Sequence, residues 1–367
     1  MYKKIFMGIA AVAALTLVSC SSDDLNSLSD NSSKNEAISF DGYLGRSAVA
    51  VNGSRGSELT KDVLQKSTEG FGVFGNYSST KDQTFGANLF NNQQVKYSST
   101  DNKWAYENTK YWPTEGHIDF LAYAPYVGTP NFNGSSIDFT VENNVAAQKD
   151  LLYAKADGQT MANNSGTNKV KFQFKHALSR LGYSVKLKGT CSSDATITLK
   201  KITLAGSAPE PTTGTTTESA KAFYTNGTID LSAGIWEKHS AGAGKQDFIN
   251  WFSVTQDVTS ASESKPYKNP TSDYLFVIPQ NFSEKIEDAG LQKENPDKLY
   301  VIVEYDIHYK DIDKTITNKV YKQLTQEFEQ GKAYTINLTL GLTPIEFDVT
   351  TVEGWTDINQ VEINSWN

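Results

Sequence analysis

The sequence predicts an all-β protein built from β-sandwiches, and three observations carry that expectation. Tyr and Phe each occur eighteen times, with abundant Thr, Val and Ile, the residue types that suit a pleated, half-buried surface. Short apolar runs recur at intervals of roughly 8–12 residues with turn-forming residues between them, the spacing of sandwich strands. Within many runs apolar and polar residues alternate with period two, as they must where one sheet face is buried and the other meets water. At 367 residues the chain is long enough for two domains, each with its own core.

The N-terminus stands apart from this pattern. Lys3 and Lys4 precede an apolar run from Ile9 to Val18, and a charged start, a short apolar stretch and small residues are the parts of an export signal, here residues 1–19. The run is too short to span a bilayer, which takes about 20 residues. Leu17-Val18-Ser19-Cys20 resembles the lipobox of bacterial lipoproteins. That resemblance implies lipidation of Cys20 by acyl chains such as palmitate and anchorage in the outer membrane, since stable anchoring takes more than one chain. Residues 20–35 then form a lipidated polar tether, rich in Ser, Asn and Asp, with too little apolar surface to offset the entropy of ordering. Ser21-Ser22-Asp23-Asp24 fits either an acidic surface-export signal or a plain solvated linker.

The first sandwich is expected over 36–177. Ile38 and Phe40 alternate with Ser39 and Asp41 at its first strand. Gly45-Arg46-Ser47 follows, and two of the three arginines in the chain, Arg46 and Arg55, lie within ten residues of each other. Gly, Ser and Asn around them suit, first, an ordinary surface loop with two solvated arginines and, second, a protease-accessible loop. Strands are expected at Phe71 to Phe74, around Val95 and Tyr97, at Trp104 to Tyr106, His117 to Tyr126, Asp150 to Ala156 and Val170 to Phe174. Ile118, Phe120 and Ala122 share one face. Pro113 and Pro125 sit at strand ends, where a missing N–H is tolerated. His176 to Leu181 breaks the alternation and reads as one short helical turn at the junction.

The second sandwich is expected over 178–367. Tyr183 to Leu187 opens it, and Ala195 to Leu204 continues with a one-residue slip that a bulge at Lys200-Lys201 would absorb. Phe223 to Leu231 reads as a hairpin, because Asn226-Gly227 suits a tight turn with positive φ. Asp273 to Pro279, Leu299 to Tyr309 and Ala333 to Leu340 are the clearest remaining strands.

Catalytic and metal-binding classes find little support. With Cys20 lipidated, Cys191 is alone, so neither an intrachain disulfide nor a Cys-based metal site is expected. His117, His176, His239 and His308 lie far apart without metal-ligand spacing. Asp306 and His308 share a strand face, where a cross-strand or solvated pair is the expected explanation. No Gly-rich phosphate loop or nucleophile elbow appears, so neither an enzyme nor a cofactor is expected. The net charge of −8 without a basic block argues against nucleic acid.

Several stretches in order resemble the fimbrillin (type V pilin) family of anaerobic Gram-negative bacteria. They are the lipobox, Phe71-Gly72-Val73-Phe74, Tyr111-Trp112-Pro113 leading to Phe120 through Tyr126, Phe174-Lys175-His176-Ala177-Leu178-Ser179-Arg180-Leu181, and Gly331-Lys332-Ala333-Tyr334 with Gly341 and Ile345. The resemblance spans nearly the whole chain. It implies two tandem transthyretin-like β-sandwiches, export as a lipoprotein to the cell surface, and cleavage by an Arg-specific protease between Arg46 and Ser47, with Arg55 the second choice. It also implies a head-to-tail polymer with other pilus subunits through a donor strand, and adhesion to a host or bacterial surface ligand. Removal of residues 1–46 takes away five acidic and four basic side chains and leaves a net charge of −7.

The C-terminus is open to two readings. Ile345, Phe347 and Val349 alternate with Glu346, Asp348 and Thr350, which suits either the last strand of the second sandwich or a donor strand drawn from Ile345 to Trp366. A surface glycan-binding lipoprotein is the alternative function. It requires an exposed aromatic platform, with Trp104, Trp236 and Trp251 as candidates, whose other role is packing.

Overall fold

A computed structural model describes residues 36–44, 59–80, 84–164, 169–188, 194–207, 222–237, 245–262, 264–269, 274–283, 298–341 and 346–352. The first half contains β1 (Ser39–Leu44), α1 (Lys61–Lys66), β2 (Phe71–Ser78), β3 (Phe90–Ser98), β4 (Lys103–Ala105), β5 (His117–Ala124), β6 (Phe132–Asn133), β7 (Ser136–Thr140), β8 (Leu152–Gln159) and β9 (Lys169–His176). The second half runs through β10 (Ser179–Leu187), β11 (Ala195–Ala205), β12 (Phe223–Tyr224), β13 (Asn226–Asp230), β14 (Ile235–Glu237), β15 (Lys245–Gln246), β16 (Phe248–Phe252) and β17 (Gln256–Asp257). It ends with β18 (Tyr267–Lys268), β19 (Leu275–Val277), β20 (Gln280–Asn281), β21 (Leu299–Tyr309), β22 (Lys314–Leu324), β23 (Glu327–Phe328), β24 (Ala333–Leu340) and β25 (Glu346–Val352). The all-β expectation holds.

Seven strands of the first half form one sheet in the order β1-β9-β8-β5-β2-β3-β4. In β5, Ile118, Phe120, Ala122 and Ala124 enter one buried cluster with Phe40, Phe71, Phe90, Phe172 and Phe174. The intervening Leu121 and Tyr123 enter the other cluster, with Phe74 of β2. Burial on both faces explains why this stretch reads as a continuous apolar run rather than a strict alternation.

The second half places β18-β10-β24-β25 in one sheet and β16-β11-β21-β22 in another. Their inner faces share a core that includes Tyr183, Val185, Ile197, Leu199, Val301, Val303, Ile336 and Leu338. The halves are also stitched by main chain, because β13 pairs antiparallel with β7 in a small sheet ordered β14-β13-β7-β6.

Three local expectations can be compared with this structure. The slip in β11 is a true irregularity: Leu199 faces Tyr305 while Lys201 faces Glu304, leaving Lys200 as the extra residue. The helical turn at His176 to Leu181 does not form. β9 runs to His176, two residues bridge, and β10 starts at Ser179. The main-chain groups of this junction find distant partners instead: Ala177 N–H donates to Leu151 O, and Leu178 O accepts from Gly331 N–H. These contacts cost no helix and leave both neighbours in register with their sheets.

The hairpin at Asn226-Gly227 is also displaced. Those two residues pair with Thr140 and Phe139, and the reversal falls later, between β13 and β14. There Gly234 has φ 68°, and a Cβ on it would lie 2.2 Å from Tyr153, so the position demands glycine. The Asp230 carboxylate braces the turn by accepting from Ser232 N–H and Oγ–H at 2.8 and 2.7 Å. Burial pushes this carboxyl up, but hydrogen bonds from Ser232, Ser135 and Ala233 outweigh it and hold the group below its ordinary range.

Candidate functional site

β1 occupies a position unlike that of any neighbour in its sheet. It pairs in parallel with β9, Phe40 opposite Val170 and Leu44 opposite Phe174. On its other side, Ile38 N–H donates to Lys110 O at 2.8 Å and Trp112 N–H to Glu36 O at 3.0 Å, around a bridge between Ala37 and Tyr111. The strand thus ties the first edge of the seven-stranded sheet to the segment that follows β4, the last edge.

Alternation decides what β1 buries. Ile38 and Phe40 are 1% and 2% exposed, while Tyr43 faces water. The Phe40 ring lies 5.5 Å from Phe90, 5.4 Å from Tyr106, 5.6 Å from Phe120 and 5.6 Å from Phe172, centroid to centroid. Gly42 comes next on the same face, and a Cβ there would stand 3.2 Å from the Phe174 ring. The Tyr106 hydroxyl donates to Ile38 O at 2.7 Å. Burial raises the Tyr106 phenol above its ordinary value, so it stays a donor at any physiological pH. Without β1, the same residues would line an apolar groove with an open β9 edge.

The chain resumes beyond 45–58 at Leu59, which is fastened to the same half. Leu59 N–H donates to the buried Asp150 carboxylate at 3.2 Å, and His176 Nδ1 lies 2.7 Å from the same oxygen. This shared carboxylate explains the histidine in Phe174-Lys175-His176 as a brace. Among the described residues no group of three His, Cys, Asp or Glu could hold a metal.

Other candidates find plain roles. Asp306 accepts from Thr317 Oγ1 at 2.7 Å and lies 3.3 Å from Lys200 Nζ, while His308 Nδ1 is 3.2 Å from Thr315 Oγ1. Both are cross-strand contacts on the outer face of the β11, β21 and β22 sheet. Trp104 packs on Phe71 at 4.9 Å and Trp251 on Tyr183 at 5.4 Å, both buried. Trp236 is half-buried and donates to Ala177 O at 2.7 Å. None of the three belongs to an exposed aromatic platform.

The chain matches a family model described as fimbrillin-like over residues 59–355. It belongs to the fimbrillin-like family. It is similar to the fimbrium subunit Fim1C of Phocaeicola vulgatus, 29% identical over 97% of this chain and 98% of that one. Its fold resembles the crystal structure of a fimbrial protein from Bacteroides vulgatus, with a TM-score of 0.64 and 23% identity over 87% of this chain and 99% of that one. Membership makes this a fimbrial, cell-surface protein whose role is structural rather than catalytic.

For a fimbrillin-like chain, the residues singled out from sequence fall unevenly. Cys20, Arg46, Ser47 and Ile345 lie outside the described residues. Phe347 and Val349 belong to β25, which pairs antiparallel with β24 of the same chain, opposite Leu338 and Ile336. β25 is the outermost strand of its sheet. Tyr106 and the lysines of β9, Lys169 and Lys171, were not marked by any sequence motif. Only the pairing of β1 brings them to the site.

Proposed function

We propose that the chain is a pilus subunit exported as a lipoprotein through Cys20, cut after Arg46 by an Arg-specific protease, and polymerised head to tail by donor-strand exchange. The lipid holds the precursor at the outer membrane. The mature polymer presents an adhesive face to a host or bacterial surface. In this reading, 36–177 and 178–367 act as two tandem transthyretin-like sandwiches.

The observation that carries the proposal is the placement of β1. It is an edge strand that supplies the central ring of an aromatic cluster, and it ends at Leu44, two residues before Arg46. A cut there would detach the whole strand and leave β9 with unpaired main-chain groups above an apolar floor. Such an edge is a template for an incoming strand, main-chain hydrogen bonds giving affinity and pockets for alternate side chains giving specificity. Ile345, Phe347 and Val349 of another subunit offer the right alternation. One subunit's tail would meet another's groove, so the contact need not close and builds a filament.

The test is Arg46→Ala in cells that make the polymer. The expected result is an uncut precursor retaining residues 20–46 and no filaments, with fatty-acid label still present and lost in Cys20→Ala. An Arg46→Ala chain that matures to Ser47 and polymerises would refute the proposal.

A further inference from the structure

We infer that a polar cleft beside β3 binds a short neutral oligosaccharide. This inference rests on the adhesive part of the reading above and supplies the class of ligand and its place on the subunit.

The cleft begins with a conflict in the sequence. Asn91-Asn92-Gln93-Gln94 is a run of four carboxamide residues found nowhere else in the chain. It lies within β3, although strands are poor in Asn, and conflicts between local preference and fold gather at functional sites. β3 meets β4 only from Lys96 opposite Ala105 to Ser98 opposite Lys103. Beyond Ala105 the chain turns away, and the Tyr106 ring packs on Phe40 and Phe90 at 5.4 and 5.6 Å. The carboxamide run is left beside a cleft of about 420 Å³ that Lys96, Glu107 and Tyr126 also line. That volume falls in the usual range for ligand pockets, roughly 300–1,000 Å³.

The floor of the cleft is fixed. Asn91 and Asn92 together stand against the single residue Phe74 of β2, a bulge in the pairing of the two strands. Asn92 has φ 52°, a left-handed backbone that Asn adopts more readily than most residues. Its Nδ2 donates to Val127 O and Gly128 O at 2.9 and 3.1 Å, and its Oδ1 accepts from the Tyr123 hydroxyl at 2.8 Å. These bonds, with Tyr126 N–H donating to Gly70 O at 3.1 Å, hold the turn that carries Tyr126 against β3. Gln94 Nε2 donates to Glu69 O at 2.8 Å. A site held this way has less to order when a ligand arrives. The bulge also bends the edge of β3, which suits a small ligand better than an added strand.

The groups left over select the ligand. The polar ends of Asn91, Lys96, Glu107 and Tyr126, and the amide oxygens of Gln93 and Gln94, make no hydrogen bond or ion pair among the described residues. Lys96 and Glu107 bring one charge of each sign, so the cleft has no net charge to attract an anion. Carboxamides both donate and accept, and a carboxylate accepts at two oxygens, which matches neighbouring hydroxyls on a sugar ring. Tyrosine adds a flat apolar face with a polar tip. A purely apolar ligand would leave the amides unpaired. Asn91, Lys96 and Glu107 are exposed, so one site alone binds weakly, whereas a filament repeats the site and gains avidity.

Filaments sheared from cells and applied to immobilised lactose, N-acetyllactosamine and mannotriose test this, with sialyllactose and sulfated lactose as charged comparisons. At least one neutral sugar should retain them. Asn91→Ala combined with Glu107→Ala should cut retention by about tenfold, the effect of losing one good hydrogen bond. Tyr126→Ala should abolish it and Tyr126→Phe should keep most of it, while Tyr321→Ala, at an exposed tyrosine of β22, should change nothing. Retention that ignores the Asn91 and Glu107 changes would place sugar binding elsewhere and overturn the inference while leaving adhesion standing. Retention by the charged sugars alone, or by no sugar, would also overturn it. Capture of the same filaments by periodate-treated cells would then assign adhesion to a polypeptide ligand.

A second measurement needs no filament. Saturation-transfer NMR of the intact Cys20→Ala chain with each neutral sugar should show contact that the Asn91 and Glu107 changes remove. No contact in the parent chain would end the inference. Contact in this chain, with no filaments from wild-type cells, would uphold the inference and sink the pilus reading.

Discussion

Phe40→Ala should lower the stability of the unprocessed chain by about 3–5 kcal/mol, the usual cost of removing a buried Phe side chain, and leave the processed subunit unchanged. The loss falls at the upper end because the cavity is lined by rigid rings. Phe90, Phe120 and Phe172 already touch one another or lie within one ring of doing so, so they cannot all collapse into the gap. The second half of the claim depends on processing. Once residues 1–46 are gone, position 40 no longer exists in the subunit, and unfolding of wild-type and variant mature forms should coincide. Chemical denaturation of both forms checks this. A precursor that tolerates the substitution would mean β1 is not packed in solution. A mature form that feels it would mean the cut lies elsewhere.

That prediction could not have been placed from sequence alone, although much of the fold could. Ala333–Leu340 was legible because it alternates from Tyr334 onward, and Leu299–Tyr309 because its long β-branched and aromatic run suits a strand even where Val301, Ile302 and Val303 are buried in succession. The slip at Lys200 was legible because a bulge changes which face the next apolar residue takes. β22 was not. Most of its positions are exposed, Ile316 and Tyr321 among them, and its lysines suit an edge strand that must not recruit another chain. Its pairing is enforced by β21 across eleven positions, from Leu299 opposite Leu324 to Tyr309 opposite Lys314.

Misplaced elements share a cause. Asn226-Gly227 has the chemistry of a turn, yet β7 offered main-chain partners that outweighed local preference. His176 to Leu181 lacks alternation because both faces of the β9–β10 junction are covered: Ala177 and Leu178 are fully buried, and a strand buried on both sides looks like a helix segment to any periodicity test. The groove was half legible. Ile38 and Phe40 marked a strand, but no local pattern says that its pairing is parallel, or that Tyr106 would hold its carbonyl. Those are properties of topology, fixed by residues 68 positions apart in the Tyr106–Ile38 bond.

A chain ending at Leu342 should fold, stay monomeric and form no filaments. Among the described strands, β25 pairs only with β24, at the margin of its sheet. On its other side β24 keeps its parallel pairing with β10 from Ala333 opposite Arg180 to Leu340 opposite Leu187, and Tyr334, Ile336, Leu338 and Leu340 remain in the core with Tyr183 and Val185. The truncated chain therefore exchanges one outer ladder of hydrogen bonds for hydrogen bonds to water, a trade that is small per bond, roughly 0.5–1.5 kcal/mol. Assembly is affected far more strongly, because every junction in a head-to-tail polymer would lose its inserted strand. Size-exclusion chromatography and circular dichroism report on the fold, and electron microscopy of sheared surface material reports on filaments. Aggregation or degradation would make the segment part of the subunit's own core. Filaments of normal length would show that another part of the chain bridges the subunits, and the tail would have no role as donor.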